Sequence, residues 1–184
     1  PPLGGLAVRP LPAAPFAPLR VAHLNLLNHT KKKNNYQKKI AAISTEQVQA
    51  LSAAQAKGLG VNFVRALSAE DVAALSDVAL AALMPKTFAA LTHFEALTAD
   101  NAGLITSAQI NALSAEQIKK MSGADNTLRY VSNAALAGLD KKNIISINLE
   151  KLTPDQFASL TADQFVNITN SVTGGLGQKF AADG

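Results

Sequence analysis

Apolar and polar positions along this chain recur with a period of eight. Aligned, the segments read ISTEQVQA from residue 43, LSAAQAKG from 51, LSAEDVAA from 67, LSDVALAA from 75 and LMPKTFAA from 83. After LTHFEA at 91–96, which is two residues short, come LTADNAGL from 97, ITSAQINA from 105, LSAEQIKK from 113, LTPDQFAS from 152 and LTADQFVN from 160. The shared form is apolar, Ser or Thr, any residue, acid, Gln, apolar, any residue, small. One continuous helix does not produce it, because eight residues advance about 800° and the apolar stripe drifts about 80° per repeat. A strand fits no better, since the first and sixth positions have opposite parity and face opposite sides of a sheet.

One helix start per repeat does fit. Ser or Thr is the N-cap, the Leu or Ile before it is N′, and the apolar sixth position is N4, so the two apolar residues close a hydrophobic staple. Gln falls at N3, where its side chain reaches back to the cap. The acid falls at N2, where the helix dipole favours negative charge. Pro85 and Pro154 fall at N1, where the missing N–H costs nothing. Helices of one to two turns are therefore expected to begin at Ser44, Ser52, Ser68, Ser76, Thr98, Thr106, Ser114, Thr153 and Thr161. Such short helices are unstable alone and must stack on one another. The fold expected is all-α: an array or solenoid of short helices from an octapeptide-like repeat, with an extended Pro-rich N-terminal arm.

Breaks in the register divide the chain. LGVNFVRA at 59–66 has no cap residue, and Gly58 and Gly60 around Leu59 read as a helix end and a turn. The segment 121–151 keeps apolar spacing but loses the octad; it predicts one longer helix near 126–138 and a loop or short extended piece at 143–149. The organisation expected is a Pro-rich, basic N-terminal arm and linker over 1–40, a helical repeat domain over 41–172 with an irregular insertion at 121–151, and a flexible tail over 173–184. A chain that opens on Pro1 reads as a fragment or a processed product, and the early prolines interrupt any signal-peptide core.

Composition adds an asymmetry of charge. Residues 1–45 carry Arg9, Arg20, Lys31, Lys32, Lys33, Lys38 and Lys39 with no acid, so a basic arm (+7) precedes a mildly acidic body (−3). The absence of Cys removes disulfides, thiolate metal sites and cysteine nucleophiles. The best apolar run, VALAALM at 78–84, is cut off by Pro85 and Lys86, so no membrane span is expected.

Catalytic, cofactor and metal sites are not expected. His23, His29 and His93 have no His, Cys or carboxylate partner at metal-ligand spacing. Glu46, Glu70, Glu116, Asp155 and Asp163 are accounted for as N2 residues. GGLGQKF at 174–180 lacks the spacing of a phosphate loop. The candidates for partner contact lie in the arm: the apolar stretch Leu19, Val21, Leu24, Leu26 and Leu27, and the basic patch Lys31, Lys32, Lys33, Lys38 and Lys39 around Tyr36. The apolar stretch cannot fold alone and should find a surface, on the same chain or on another copy. The patch is suited to phosphates, with Tyr36 available to stack on a base.

LSAEQIKK, LTPDQFAS and LTADQFVN resemble the degenerate L[ST]x[ED]Q repeats of large secreted or surface-exposed bacterial repeat proteins, adhesin-like ones among them, over 41–121 and 152–172. The resemblance implies a bacterial secreted or cell-surface location and a non-enzymatic role in protein–protein contact, adhesion or self-assembly, through a protein partner or a second copy in a homo-oligomer or fibre. LTPDQF is also similar to the opening of the DNA-reading repeats of transcription-activator-like effectors, but the longer period and base-reading pair of those repeats are missing here. The alternatives are a nucleic-acid-binding module using residues 31–39 and a host-directed effector domain.

Overall fold

A computed structural model of the chain describes residues 43–168. Among them there are many short helices and no strand. The cap residues act where the octad predicts: Ser44, Ser52, Ser68, Ser76, Thr98, Thr106, Ser114 and Thr153 are the N-caps of Thr45–Gln49, Ala53–Lys57, Ala69–Ala74, Asp77–Ala82, Ala99–Ala102, Ser107–Asn111, Ala115–Met121 and Pro154–Ala158. Thr161 closes the same cap on the helical residues 162–168. At Thr106 the hydroxyl accepts from the Gln109 N–H at 3.2 Å while Gln109 Oε1 accepts from the Thr106 N–H at 2.9 Å. Two donors that the first turn would leave bare are thereby satisfied. Pro85 and Pro154 both open their helices.

Three sequence expectations are corrected. The unit at 59–66 is a further helix, Val61–Arg65, with Gly60 as its N-cap in extended geometry. The single helix expected at 126–138 is instead a 3-10 turn, Thr127–Tyr130, and a separate helix, Asn133–Ala137, capped by Ser132. The loop or short extended piece expected at 143–149 is a loop over 145–148 alone, between the helix Lys141–Ile144, capped by Asp140, and the 3-10 turn Leu149–Lys151. Capping needs only a short oxygen at N-cap and an apolar N′, and Val131-Ser132 and Leu139-Asp140 supply both without Gln at N3. LTHFEA, short by two residues, makes the 3-10 turn Phe94–Ala96.

The helices end without a left-handed residue. Gly58 is a C-cap at φ −84° and ψ −4°, and no glycine among the described residues has positive φ. The N′ residue makes the joint: Leu75 and Leu83 adopt extended dihedrals, and N′ amides such as Leu113 N–H donate to the carbonyl three residues back, here Ile110 at 3.0 Å. Asn126 is the exception among non-glycine residues, at φ 43° and ψ 52°.

The chain order of the elements sets their packing. Ala53–Lys57 packs on Asp77–Ala82, Thr45–Gln49 on Ala69–Ala74, Pro85–Phe88 on Ser107–Asn111, and Ser107–Asn111 on Asn133–Ala137. In each case the partner is three places further on in the element order. Phe94–Ala96 contacts Ala115–Met121 at three places and Thr127–Tyr130 at four. The core between them is built from the N′ and N4 positions. Leu67, Leu75, Leu97, Ile105 and Leu113 at N′ are at most 2 % exposed, and burying each stabilises by roughly 1.5–3 kcal/mol. Phe88 and Phe94 meet edge to face at 5.8 Å.

Candidate functional site

The arm residues singled out for partner contact, Leu19 to Leu27 and Lys31 to Lys39 with Tyr36, lie outside the described residues, as do His23, His29 and the tail at 173–184. Of the histidines, His93 is described: it lies at the surface with Nδ1 2.8 Å from Glu95 Oε1. Among the described residues no three His, Asp or Glu side chains are grouped so as to hold a metal ion.

The polar side chains that are buried serve another purpose. The N3 amide closes its own capping box with its oxygen and, with its nitrogen, reaches the end of a helix four places earlier in the element order. Gln109 Nε2 lies 2.9 Å from both the Leu80 and Leu83 carbonyls. Gln117 Nε2 donates to Ala89 at 2.7 Å, and Asn101 Nδ2 to Val72 at 2.9 Å. Gln156 Nε2 donates to Val131 at 2.8 Å, and Gln164 Nε2 to Leu136 at 2.8 Å. The hydroxyl of Thr127 donates to Phe94 O at 3.0 Å in the same sense. These bonds span from 25 residues, at Gln156, to 33, at Thr127. They fill the terminal carbonyls that left-handed C-caps satisfy in other helices. The octad's preference for Gln over Glu at N3 was the legible signal, since Glu closes the box equally well but has no N–H to donate.

Asn111 varies the scheme. Its Oδ1 accepts from the Asp140 N–H at 3.0 Å, its Nδ2 donates to Gly138 O at 3.1 Å, and its carbonyl accepts from Asn143 Nδ2 at 3.0 Å. Because Asn111 has taken the Asp140 amide, the buried Asn143 Oδ1 is left without a hydrogen-bond partner.

Surface acids follow the helix starts. The Ser44 hydroxyl, with Glu46's own backbone N–H, holds the Glu46 carboxyl below its ordinary range; at Glu70 its own backbone N–H leads and the Ser68 hydroxyl follows. Glu95 is lowered by its own backbone N–H, assisted by His93. These shifts belong to local hydrogen bonding at helix starts, which is structural chemistry.

A shallow groove of about 420 Å³ runs between residues 103–107 and the start of Asn133–Ala137. Leu104, 51 % exposed, Ser107 and Ser132 are among its lining residues. None of these lining residues is titratable. Comparison with protein-family models, curated proteins and solved structures finds no match to this chain.

Proposed function

We propose that the described residues form a helical solenoid and that the protein is a non-enzymatic interaction module. The observation that carries this reading is the order of the contacts: elements pack on the one three places on, and side-chain amides reach back across four, as in a superhelix with between three and four short helices per turn. A superhelix of that kind has one elongated surface and spends its buried polar groups on holding adjacent turns together. Val78, Met84 and Leu104, about half exposed, add apolar area to that surface. Protein–protein contact, adhesion or self-assembly is the use such a surface fits, and the octad resemblance favours a bacterial secreted or surface protein. No helix among the described residues is long and apolar enough to cross a membrane.

The apolar and basic parts of the arm make two readings separable. In the self-assembly reading, full-length protein sediments as larger species at high concentration, and a full-length Leu24→Ser, Leu26→Ser, Leu27→Ser variant stays monomeric. A wild-type chain that is monomeric throughout removes self-assembly. In the nucleic-acid reading, a labelled random-sequence oligonucleotide binds at low salt with an affinity that falls steeply as salt rises, and replacing Lys31, Lys32, Lys33, Lys38 and Lys39 by Ser abolishes it. Absence of binding at low salt removes that second reading.

A further inference from the structure

The groove between residues 103–107 and Asn133–Ala137 coincides with an interruption in the pattern of amide bonds. Where N3 is Gln, as at Gln109, its carboxamide oxygen accepts from the N-cap N–H while its nitrogen donates to carbonyls at the end of the helix four places earlier. Those carbonyls hold fixed positions: the N4 and N5 residues and the next N′. For Gln109 they are Leu80, Ala81 and Leu83, and for Gln164 they are Leu136, Ala137 and Leu139. In Asn133–Ala137 the N3 residue is Ala135, whose side chain has neither oxygen nor nitrogen. The helix four places earlier is Ala99–Ala102, and the corresponding carbonyls are those of Ala102, Gly103 and Ile105. No side chain among the described residues donates to any of the three. The Ser132 N–H, which a Gln at position 135 would bond, has no acceptor among the described residues either.

We infer that this groove receives the side-chain carboxamide of a glutamine carried by a partner protein. Gly103, Ile105, Ser132 and Ala135 all line it, so the N–H and the carbonyls face one space. They repeat the arrangement that Gln109 and Gln164 fill elsewhere in the fold. A primary carboxamide answers both halves, since a carboxylate has no N–H to give and an ammonium has no oxygen to accept. The groove, about 420 Å³, is the size of a ligand cleft and larger than one side chain, so the residues flanking the glutamine enter as well. Leu104, 51 % exposed, gives them an apolar contact, and Gly103 leaves open space where a side chain would otherwise begin. Gln109, Gln117, Gln156 and Gln164 of this chain are committed to bonds of their own, which favours a donor from another protein. The inference rests on the interaction-module reading and names the chemistry that one part of its surface recognises.

The test titrates the full chain with the peptide acetyl-Ala-Leu-Gln-Leu-Ala-amide and follows backbone amide resonances by heteronuclear NMR. Saturable shifts are expected at Gly103, Ser132 and Ala135. Replacing the peptide's Gln by Met, of similar length but without the amide, should weaken binding roughly tenfold or more, and Glu should do the same. Ala135→Gln supplies the carboxamide from within the chain and should abolish the shifts. Leu104→Ser, at an exposed residue whose loss leaves the core intact, should weaken them severalfold. Absence of shifts in the groove overturns the inference, as does equal binding of the Gln and Met peptides or binding that survives Ala135→Gln in a folded variant. Groove shifts that appear on raising the concentration of the protein alone would put a second copy's side chain there and overturn the assignment to a separate partner. Arm-dependent assembly is read by sedimentation and does not involve Ala135, so its failure and this one are distinguishable.

Discussion

The side-chain amide of Gln109 lies 2.9 Å from the carbonyl of Leu83, 26 residues earlier in the chain. One side chain therefore closes the start of its own helix through Oε1 and the end of an earlier one through Nε2. Gln109 is 1 % exposed, so both bonds are made away from water, where an unmade one is expensive.

Exchanging the nitrogen for oxygen isolates that second role. Gln109→Glu keeps the capping box but turns a carboxylate toward the Leu80 and Leu83 carbonyls; denaturant unfolding should show a loss of about 3 kcal/mol or more. Gln47→Glu changes the same position in the first described helix, where the half-buried side chain accepts from the Ser44 N–H at 3.1 Å. It should alter stability by less than about 0.5 kcal/mol. Equal losses at the two sites would mean that the donated bonds contribute nothing.

Gly138 and Gly103 make a second contrast. A Cβ on Gly138 would stand 2.7 Å from Ser107 Cβ, whereas one on Gly103 meets nothing within 4 Å. Gly138→Ala should destabilise by about 1–3 kcal/mol, and adding Ser107→Gly should recover part of the loss, with a coupling above about 0.5 kcal/mol. Gly103→Ala, at φ −62° and ψ −29°, should stabilise by about 0.4–1 kcal/mol.

Ser114 tests the cap itself. Its hydroxyl accepts from the Gln117 N–H at 3.3 Å on an exposed surface. Ser114→Ala should cost about 1 kcal/mol and Ser114→Gly a few tenths. The corresponding Tm shift for Ala is about 2–4 °C. An alanine variant as stable as the wild type would show that stacking alone holds the helix start.

Acid should weaken the fold through Glu46, Glu70 and Glu95, whose carboxyls are all held below the ordinary value of 4.5. A lowered folded pKa contributes stability that is complete above the unfolded value and is lost as pH falls through the folded one. The Tm should be flat near neutrality and decline below about pH 4.5. Replacing the three glutamates by Gln should make that decline shallower, and an unchanged acid limb would assign it to other groups.

Features confined to a few neighbouring residues were legible in the sequence. A cap such as Ser114 or Thr153 needs only the N–H three residues ahead and a partner at N3, so the starts of the short helices and the places of Pro85 and Pro154 could be read directly. The helices Val61–Arg65, Asn133–Ala137 and Lys141–Ile144 were harder to see, because Gly60, Ser132 and Asp140 depart from the octad although each still permits a cap. Which helix meets which was set by packing across the whole fold. Nothing within eight residues of Gln109 states that its amide will find Leu83, nor that Asn111 will take the Asp140 amide in place of Asn143. Those bonds depend on which helix packs on which, and that is decided where N′ and N4 side chains meet across elements three places apart. Phe157 shows the same limit: its octad matches the others, yet it is 45 % exposed where Val72 and Leu80 at the same position are buried, because burial at N4 is set by packing between elements and not by the octad itself.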